Sequence, residues 1–186
     1  SMCEGDAWVK EFGCWGFMSG TSMASPHLAG MAAVVRAEYP SWDAWQVRSA
    51  IVNTAKQNGV FQTKAIDKVE TDAQRVGSGL AQLDRAVTTR VVFSRVSVSF
   101  GSVASGSGKA LTQTVKVTNV TDQAVTLPLT VEDASVENVF TVSPSSVSLP
   151  AGGSATITVS FQAPRGTTGP VQAHLYVGGA NHVVLF

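Results

Sequence analysis

A serine in the segment Gly20-Thr21-Ser22 lies where a helix is expected to begin, and this position suits nucleophilic chemistry. The first backbone N–H groups of a helix have no helical partner, and the positive end of the helix dipole lies behind them. Negative charge that develops on an attacked carbonyl oxygen would therefore be stabilised beside Ser22. Gly20 leaves the backbone open to a closely approaching substrate. The chemistry indicated is acyl transfer to the Ser22 hydroxyl.

Taken alone, a Gly-Thr-Ser turn is more typical of an ordinary helix cap than of an active site. The surrounding residues reverse this interpretation, because they resemble the nucleophile motif of the subtilisin family almost position for position. The matching stretch is Met18-Ser19-Gly20-Thr21-Ser22-Met23-Ala24-Ser25-Pro26-His27-Leu28-Ala29-Gly30. By this resemblance, Ser22 is the nucleophile, and its own N–H is one donor of the oxyanion hole. The other motif positions of interest are Gly20, Thr21, Met23, Pro26 and His27.

Further features of the same family follow in order along the chain. They are Pro40-Ser41, Thr54-Ala55 and Gly77-Ser78-Gly79-Leu80. The resemblance therefore covers roughly residues 12–88 as part of a catalytic domain. It implies a secreted serine endopeptidase that acts on proteins or peptides, with a signal peptide expected upstream. Beyond it, the strand pattern looks similar to the fibronectin-like domains that follow the catalytic domain in many larger secreted subtilases.

His27 is not the expected catalytic base, although it shares the motif with Ser22. Five residues place it roughly 140° around the helix from Ser22 and about 7.5 Å along the axis, out of hydrogen-bond reach. We expect a structural histidine packed behind the site. His174 and His182 lie in predicted strands and lack the Gly-Thr-His setting of the family's base. Two interpretations of Met23 stay open: it fills the core, or it is an oxidisable neighbour of the nucleophile.

The family order is Asp, then His, then Ser, with an oxyanion-hole Asn between His and Ser. The residues before Ser22 contain one aspartate, Asp6, but no histidine and no asparagine. Asp6 lacks the Asp-Ser/Thr-Gly context of the family. We therefore expect the C-terminal part of a protease that is inactive alone. The sequence shows no calcium loop or other metal site, and cofactors stay unknown.

The elements that must position Ser22 begin with a helix over Met23–Val35, which is apolar nearly all round and is therefore expected to be buried. Pro40 ends it. A second helix is predicted from Trp42 to Ala55, with Ser41 as N-cap and Asp43 favouring its positive end. Residues 56–78 are polar and predicted irregular, and residues 79–87 form a short closing helix.

After about Val91 the pattern changes to the alternation of Val, Thr and Ser that is typical of half-buried strands. The predicted strands are residues 96–100, 112–118, 124–132, 138–142, 145–149, 154–162 and 170–178, with 182–186 as an edge. Strands at this spacing favour a sandwich of immunoglobulin or fibronectin type III character. The predicted fold is thus α/β followed by an all-β sandwich. The predicted domains are residues 1–90 and 91–186, with the boundary near 88–95.

Composition narrows the function classes. Thirteen basic residues balance thirteen acidic ones, and only 14% of the residues are charged, which argues against a nucleic-acid partner. The stretch from Phe17 to Val35 is too interrupted by polar residues, Gly and Pro to make a good membrane span. Cys3 and Cys14 are equally compatible with a disulfide and with two unpaired thiols. The sequence does not indicate an oligomeric state.

A second hypothesis stays open at this point. The sandwich could be the working part of a non-catalytic binding or scaffolding protein, with the helical segment as the relic of a protease. A subtilase-like sequence upstream with Asp-Thr-Gly and Gly-Thr-His motifs would favour the enzyme, whereas a natural start near Ser1 would favour the scaffold.

Overall fold

A computed structural model describes residues 19–62, 65–104, 106–132, 135–163, 166 and 169–186. Within these ranges the chain has mixed α and β content. The helices are α1 (Thr21–Glu38), α2 (Ala44–Asn53), α3 (Ala73–Val76) and α4 (Leu83–Val87). The strands are β1 (Phe61–Gln62), β2 (Ala65–Val69), β3 (Val91–Phe93), β4 (Ser97–Val98), β5 (Ala110–Asn119), β6 (Val125–Glu132), β7 (Phe140–Ser143), β8 (Ser146–Leu149), β9 (Ser154–Gln162), β10 (Ala173–Val177) and β11 (Asn181–Leu185). Cys3, Cys14 and Asp6 lie outside the described residues, so the alternatives of a disulfide and two unpaired thiols both stay open.

The break between α1 and α2 lies where Pro40 predicts it, but the N-cap of α2 comes later than expected. The cap is Asp43, not Ser41. The Asp43 carboxylate accepts a 2.8 Å hydrogen bond from the Gln46 N–H, and the Gln46 side chain accepts a 2.8 Å bond from the Asp43 N–H. This reciprocal capping box requires Glu or Gln three residues after the cap, and only Asp43 meets that requirement.

Helix α1 is exposed over most of its surface, so the prediction of a buried helix is wrong for these residues. Val35 is its one buried residue, whereas Leu28 is 44% and Val34 47% exposed. The C-terminal half of α1 packs through Met31 and Val35 against a core that includes residues of α2. An apolar helix is buried only where another element covers it, and no such element among the described residues covers its first half.

The polar stretch from residue 56 to 78 has more structure than the sequence predicts. Strands β1 and β2 form a small antiparallel pair, and the one-turn helix α3 follows with Asp72 as its N-cap. Lys56 and Leu80 then exchange backbone hydrogen bonds of 2.7 and 2.9 Å. The segment is thereby closed into a loop whose two ends lie side by side.

Two sheets follow, and the predicted strand runs are confirmed with small shifts at their ends, but residues 182–186 do not form the expected edge, because β11 pairs with β10 on one side and β4 on the other. One sheet has the strand order β4-β11-β10-β6-β8, and the other has the order β3-β5-β9-β7. Their inward residues share one apolar core, to which Val117 and Val159 contribute from one sheet and Leu175 and Val183 from the other. We call this two-sheet unit, residues 91–186, the sandwich.

Strand β3 was not predicted, because it lies in the stretch assigned to the domain boundary. It pairs with β5 and is buried on both faces. Val91 and Phe93 point into the sandwich core, while Val92 belongs to the helical core around Val35 and Ile51. The two cores therefore meet on opposite faces of one strand.

Candidate active site

Ser22 lies in the first turn of α1 and is exposed. The turn begins at Gly20, whose φ of 144° is a backbone conformation that side-chain-bearing residues rarely adopt. The Gly20 carbonyl accepts hydrogen bonds from the N–H groups of Met23 at 3.0 Å and Ala24 at 3.1 Å. The sequence therefore places Ser22 at a helix N-terminus as predicted, with a glycine where the backbone requires one.

This arrangement offers an accessible hydroxyl beside the positive end of an 18-residue helix. The N–H groups of Thr21 and Ser22 belong to the first turn, so helix geometry gives them no helical acceptor. Such groups can donate to an oxyanion, and the helix dipole adds to the stabilisation. A hydroxyl in this position still needs a base to accept its proton before it becomes an effective nucleophile.

His27 does not supply that base. One of its ring nitrogens lies 2.6 Å from the Met23 carbonyl oxygen, one turn back along the same helix. A ring nitrogen hydrogen-bonded to a carbonyl acts as a donor, so the His27 imidazole donates to the backbone of its own helix. His27 is exposed, and the expected packing behind the site is wrong. The reason is the same as for the rest of α1: no described element covers this part of the helix.

The remaining motif residues lie around Ser22 as the helix dictates. Thr21 and Pro26 are exposed, and Met23 is half-buried, which leaves both interpretations of Met23 open. Pro26 lies inside the helix and has no N–H, so the carbonyl four residues earlier, that of Ser22, receives no helical hydrogen bond from it.

The other two histidines lie in the sandwich, at its junction with the segment that precedes it. The hairpin of β10 and β11 places His182 opposite Tyr176, and the rings of His174 and His182 are 5.6 Å apart. A ring nitrogen of His182 lies 3.0 Å from the Ser78 carbonyl oxygen, and the Gln57 side chain contacts His174. The Tyr176 hydroxyl donates a 2.6 Å bond to the Gln57 side-chain carbonyl.

His182 is 1% exposed, and this burial is the main cause of its perturbed acid–base behaviour. Loss of hydration, followed by repulsion from a charged His174, lowers the pKa of His182 to about 4. Arg85 acts in the same direction, whereas the bond to the Ser78 carbonyl opposes the shift. His182 is therefore neutral at physiological pH and donates its single N–H to Ser78.

The sequence prediction missed this junction cluster, although a signal for it exists. Gly178 and Gly179 both have positive φ and form the turn between β10 and β11. Closing a hairpin at these glycines pairs residue 177 with 181 and residue 176 with 182. A cleft of about 330 Å³ borders the cluster and is lined by residues that include Gln57, Glu70, Ser78 and His174.

No group of three or more His, Cys, Asp or Glu side chains among the described residues is arranged to hold a metal ion. None of the described helices has the length and apolar character that crossing a bilayer requires.

Comparisons with known proteins connect the segment that contains Ser22 to a protein family. The sequence model of the subtilase family, Peptidase_S8, matches residues 11–79. The chain is 34% identical over 94 residues to Minor extracellular protease Vpr of Bacillus subtilis, a match that covers 50% of this chain and 11% of that protein. It is 39% identical over 64 residues to Subtilisin E of Bacillus subtilis, covering 33% of this chain and 17% of that protein. The chain thus spans about a tenth to a sixth of these relatives.

A plant relative and two solved structures extend the comparison. Subtilisin-like protease SBT4.14 of Arabidopsis thaliana is 32% identical over 106 residues, 56% of this chain and 13% of that protein. The structure of WR4, a C. elegans MSP family member, matches with 11% identity and a TM-score of 0.38 over 53% of this chain and 97% of its own. A PapD-like domain of human CEP192 matches with 16% identity and a TM-score of 0.37 over 52% and 84%.

Proposed function

Because the sequence model of the subtilase family matches residues 11–79, we propose that this chain is part of a serine endopeptidase of the subtilisin type and that Ser22 is its nucleophile. The observation that carries the proposal is the coincidence of the family match with an exposed serine in the first turn of a helix. The family match alone leaves open which residue reacts. The geometry supports Ser22, because its hydroxyl is accessible and lies beside N–H groups that can stabilise an oxyanion.

In the proposed reaction the Ser22 oxygen attacks the carbonyl carbon of a peptide bond while a base removes the hydroxyl proton. The N–H of Ser22 donates to the resulting oxyanion. Collapse of this intermediate expels the amine, which takes up a proton, and leaves an acyl group on Ser22. Water then hydrolyses the ester and frees the serine.

We propose that the base comes from outside the described residues, since His27 is bound to the Met23 carbonyl, while His174 and His182 contact Gln57 and Ser78 at the junction with the sandwich. We propose that the histidine, aspartate and oxyanion-hole asparagine belong to sequence that precedes Ser22 in the complete enzyme. Hydrolysis by these 186 residues alone is then negligible. In subtilisin itself, after which the family is named, loss of triad members lowers turnover by about 10⁴ to 10⁶.

The exposed part of α1 supports the same proposal. A groove of about 600 Å³ runs between α1 and α2 and is lined mainly by apolar side chains, among them Leu28, Ala32, Val47 and Ile51. In the subtilisin fold the nucleophile helix packs on a parallel sheet, so an uncovered apolar face is expected wherever that sheet is missing. The proposed substrates are proteins or peptides. Secretion is proposed because one relative is named an extracellular protease.

The proposal is tested by replacing Ser22 in the complete enzyme and measuring hydrolysis of a casein or peptide substrate. Ser22→Ala is expected to abolish turnover while leaving the fold intact. Ser41→Ala is the matched control, because Ser41 is another exposed serine that lies outside the motif. Wild-type turnover in the Ser22→Ala enzyme would overturn the assignment. Ser22-dependent turnover in the complete enzyme would also argue against the non-catalytic scaffold hypothesis, which the family match does not favour.

A further inference from the structure

The junction between the helical segment and the sandwich is built like the interior of one domain. Strand β3 contributes Val91 and Phe93 to the sandwich core and Val92 to the helical core. These residues are 2%, 3% and 4% exposed. If the strand separated from either core, its own apolar residues on that face and the residues that pack against them would be exposed to water. The predicted domain boundary between residues 90 and 91 therefore lies directly before a strand that contributes residues to both cores.

Asn53, at the end of α2, connects the helices to the sandwich through hydrogen bonds of both its side-chain NH₂ group and its side-chain carbonyl oxygen. Its NH₂ group donates to the carbonyl oxygens of His182 at 2.8 Å and Val96 at 3.1 Å. Its carbonyl oxygen accepts a 2.9 Å bond from the hydroxyl of Ser49, which in turn accepts a 2.7 Å bond from the Phe93 N–H. Asn53 and Ser49 are each 1% exposed, so water cannot replace these bonds without opening the junction.

A second group of contacts joins the sandwich to residues 71–80. His182 bonds to the Ser78 carbonyl, as described above. Gln172 accepts a 2.9 Å bond from the Ala73 N–H and donates a 2.8 Å bond to the Thr71 carbonyl. Each contact links residues about a hundred positions apart in sequence. They hold the closed loop before α4 against the hairpin of β10 and β11.

The polar groups of this junction are fully paired. No buried side-chain nitrogen or oxygen in the part of the chain that the structure describes lacks a hydrogen-bond partner. Buried polar groups in a native interior are hydrogen-bonded in this way, and each one left without a partner would be destabilising. If the helices moved away from the sandwich, Asn53, Ser49 and His182 would lose their partners together.

We infer that the helical segment and the sandwich are one cooperative folding unit, in which the sandwich holds the helices that present Ser22. The sandwich contacts α2 through Val92 of β3 and through the His182 carbonyl, which accepts a hydrogen bond from Asn53 of α2. Helix α2 in turn packs against α1 in the core around Val35. This role is independent of whether Ser22 is the nucleophile.

The test is hydrogen–deuterium exchange on the full chain with a substitution confined to the sandwich. Val147→Ala lies on β8, at the opposite edge of its sheet from β4 and β11, and Val147 packs only in the sandwich core. One cooperative unit predicts that this change speeds exchange of the slowest amides of β9 and α2 by the same factor, roughly tenfold for a cavity-forming substitution. Val34→Ala is the matched control, because Val34 is 47% exposed on α1, and neither element should respond to it.

Faster exchange in β9 with unchanged exchange in the slowest amides of α2 would overturn the inference. If the Val147→Ala chain does not fold, the unmodified chain gives the same information in increasing denaturant. The slowest amides of α2 and β9 should then converge on one opening equilibrium with one denaturant dependence. Separate equilibria, with α2 opening at lower denaturant, would show two independent units.

Discussion

Asn53 and His182 are separated by 129 positions in sequence, yet the Asn53 side chain donates a 2.8 Å hydrogen bond to the His182 backbone carbonyl. The imidazole of the same histidine lies 3.0 Å from the Ser78 carbonyl. One residue of β11 is therefore bound through its backbone to α2 and through its side chain to the loop before α4. This relationship makes the junction sensitive to any change at His182.

The first prediction concerns pH. The pKa of His182 is lowered to about 4 in the folded chain, mainly by burial, while the unfolded chain takes up the proton near the ordinary value of 6.5. Folded-state stability is therefore complete above about pH 6.5 and falls as the pH is lowered towards 4, because the unfolded state binds the proton first. Linkage gives a loss of about 2 kcal/mol between pH 7 and pH 5.

Chemical denaturation at pH 7 and pH 5 measures this loss, and His182→Gln is the comparison because its amide can still donate to Ser78. The variant should be less stable at pH 7 but should lose much less stability on acidification. His174 and Arg85 are the titratable or charged groups that act on His182, and the Gln57 and Ser78 contacts are neutral. An equal acid response in both proteins would show that His182 does not control it.

The second prediction concerns the start of α2. Asp43→Ala removes the carboxylate that accepts the Gln46 N–H and should lower the free energy of unfolding by about 1 kcal/mol. Asp122→Ala removes an exposed aspartate from a turn of the sandwich and serves as the control, with an effect within about 0.5 kcal/mol. Urea denaturation of the two variants gives the comparison. Equal losses would mean that the cap contributes little to the stability of this helix.

The third prediction concerns Gly79, which has a φ of 109° and lies against the Lys56 backbone. A Cβ atom at this position would be 2.4 Å from the Lys56 carbonyl oxygen, and backbone atoms must move to admit it. Gly79→Ala should therefore cost more than conformational strain alone, by roughly 2 kcal/mol or more. The loss should appear as faster exchange at Lys56 and Leu80, whose backbone bonds close the loop.

Gly106→Ala separates the steric effect from the strain. Gly106 also has a positive φ, of 70°, but an added Cβ there meets no atom within 4 Å. This variant should cost about 1 to 2 kcal/mol, the penalty of a left-handed conformation for an L-residue. Similar losses in both variants would argue against a close approach of Gly79 to Lys56.

Local patterns predicted much of the fold. Alternation identified the strands of the sandwich, and the helical period together with Pro40 identified α1 and α2. The N-cap was wrong because Ser41 and Asp43 are both good capping residues. The choice between them depends on Gln46, which lies three residues after Asp43 and completes the reciprocal pair.

Long-range features could not be predicted in the same way. The apolar sequence of α1 predicts burial but does not say what covers the helix, so the exposure of Leu28 and Val34 appears only in the structure. Strand β3 is three residues long, too short for its alternation to be recognised, although it joins the two cores. Helix geometry argues against His27 as the catalytic base, but it could not predict the partner of His27, the Met23 carbonyl, because that contact depends on the side-chain rotamer.

The assignment of Ser22 is tested most directly by locating the adduct of an active-site-directed fluorophosphonate in the complete enzyme. Peptide mapping by mass spectrometry should find the phosphonyl group on Ser22, with labelling abolished in Ser22→Ala and retained in Ser41→Ala. The 186 residues alone should label at a far lower rate, because the proposed base belongs to sequence that precedes Ser22 in the complete enzyme. A stoichiometric adduct on another residue, with Ser22 unmodified, would contradict the account.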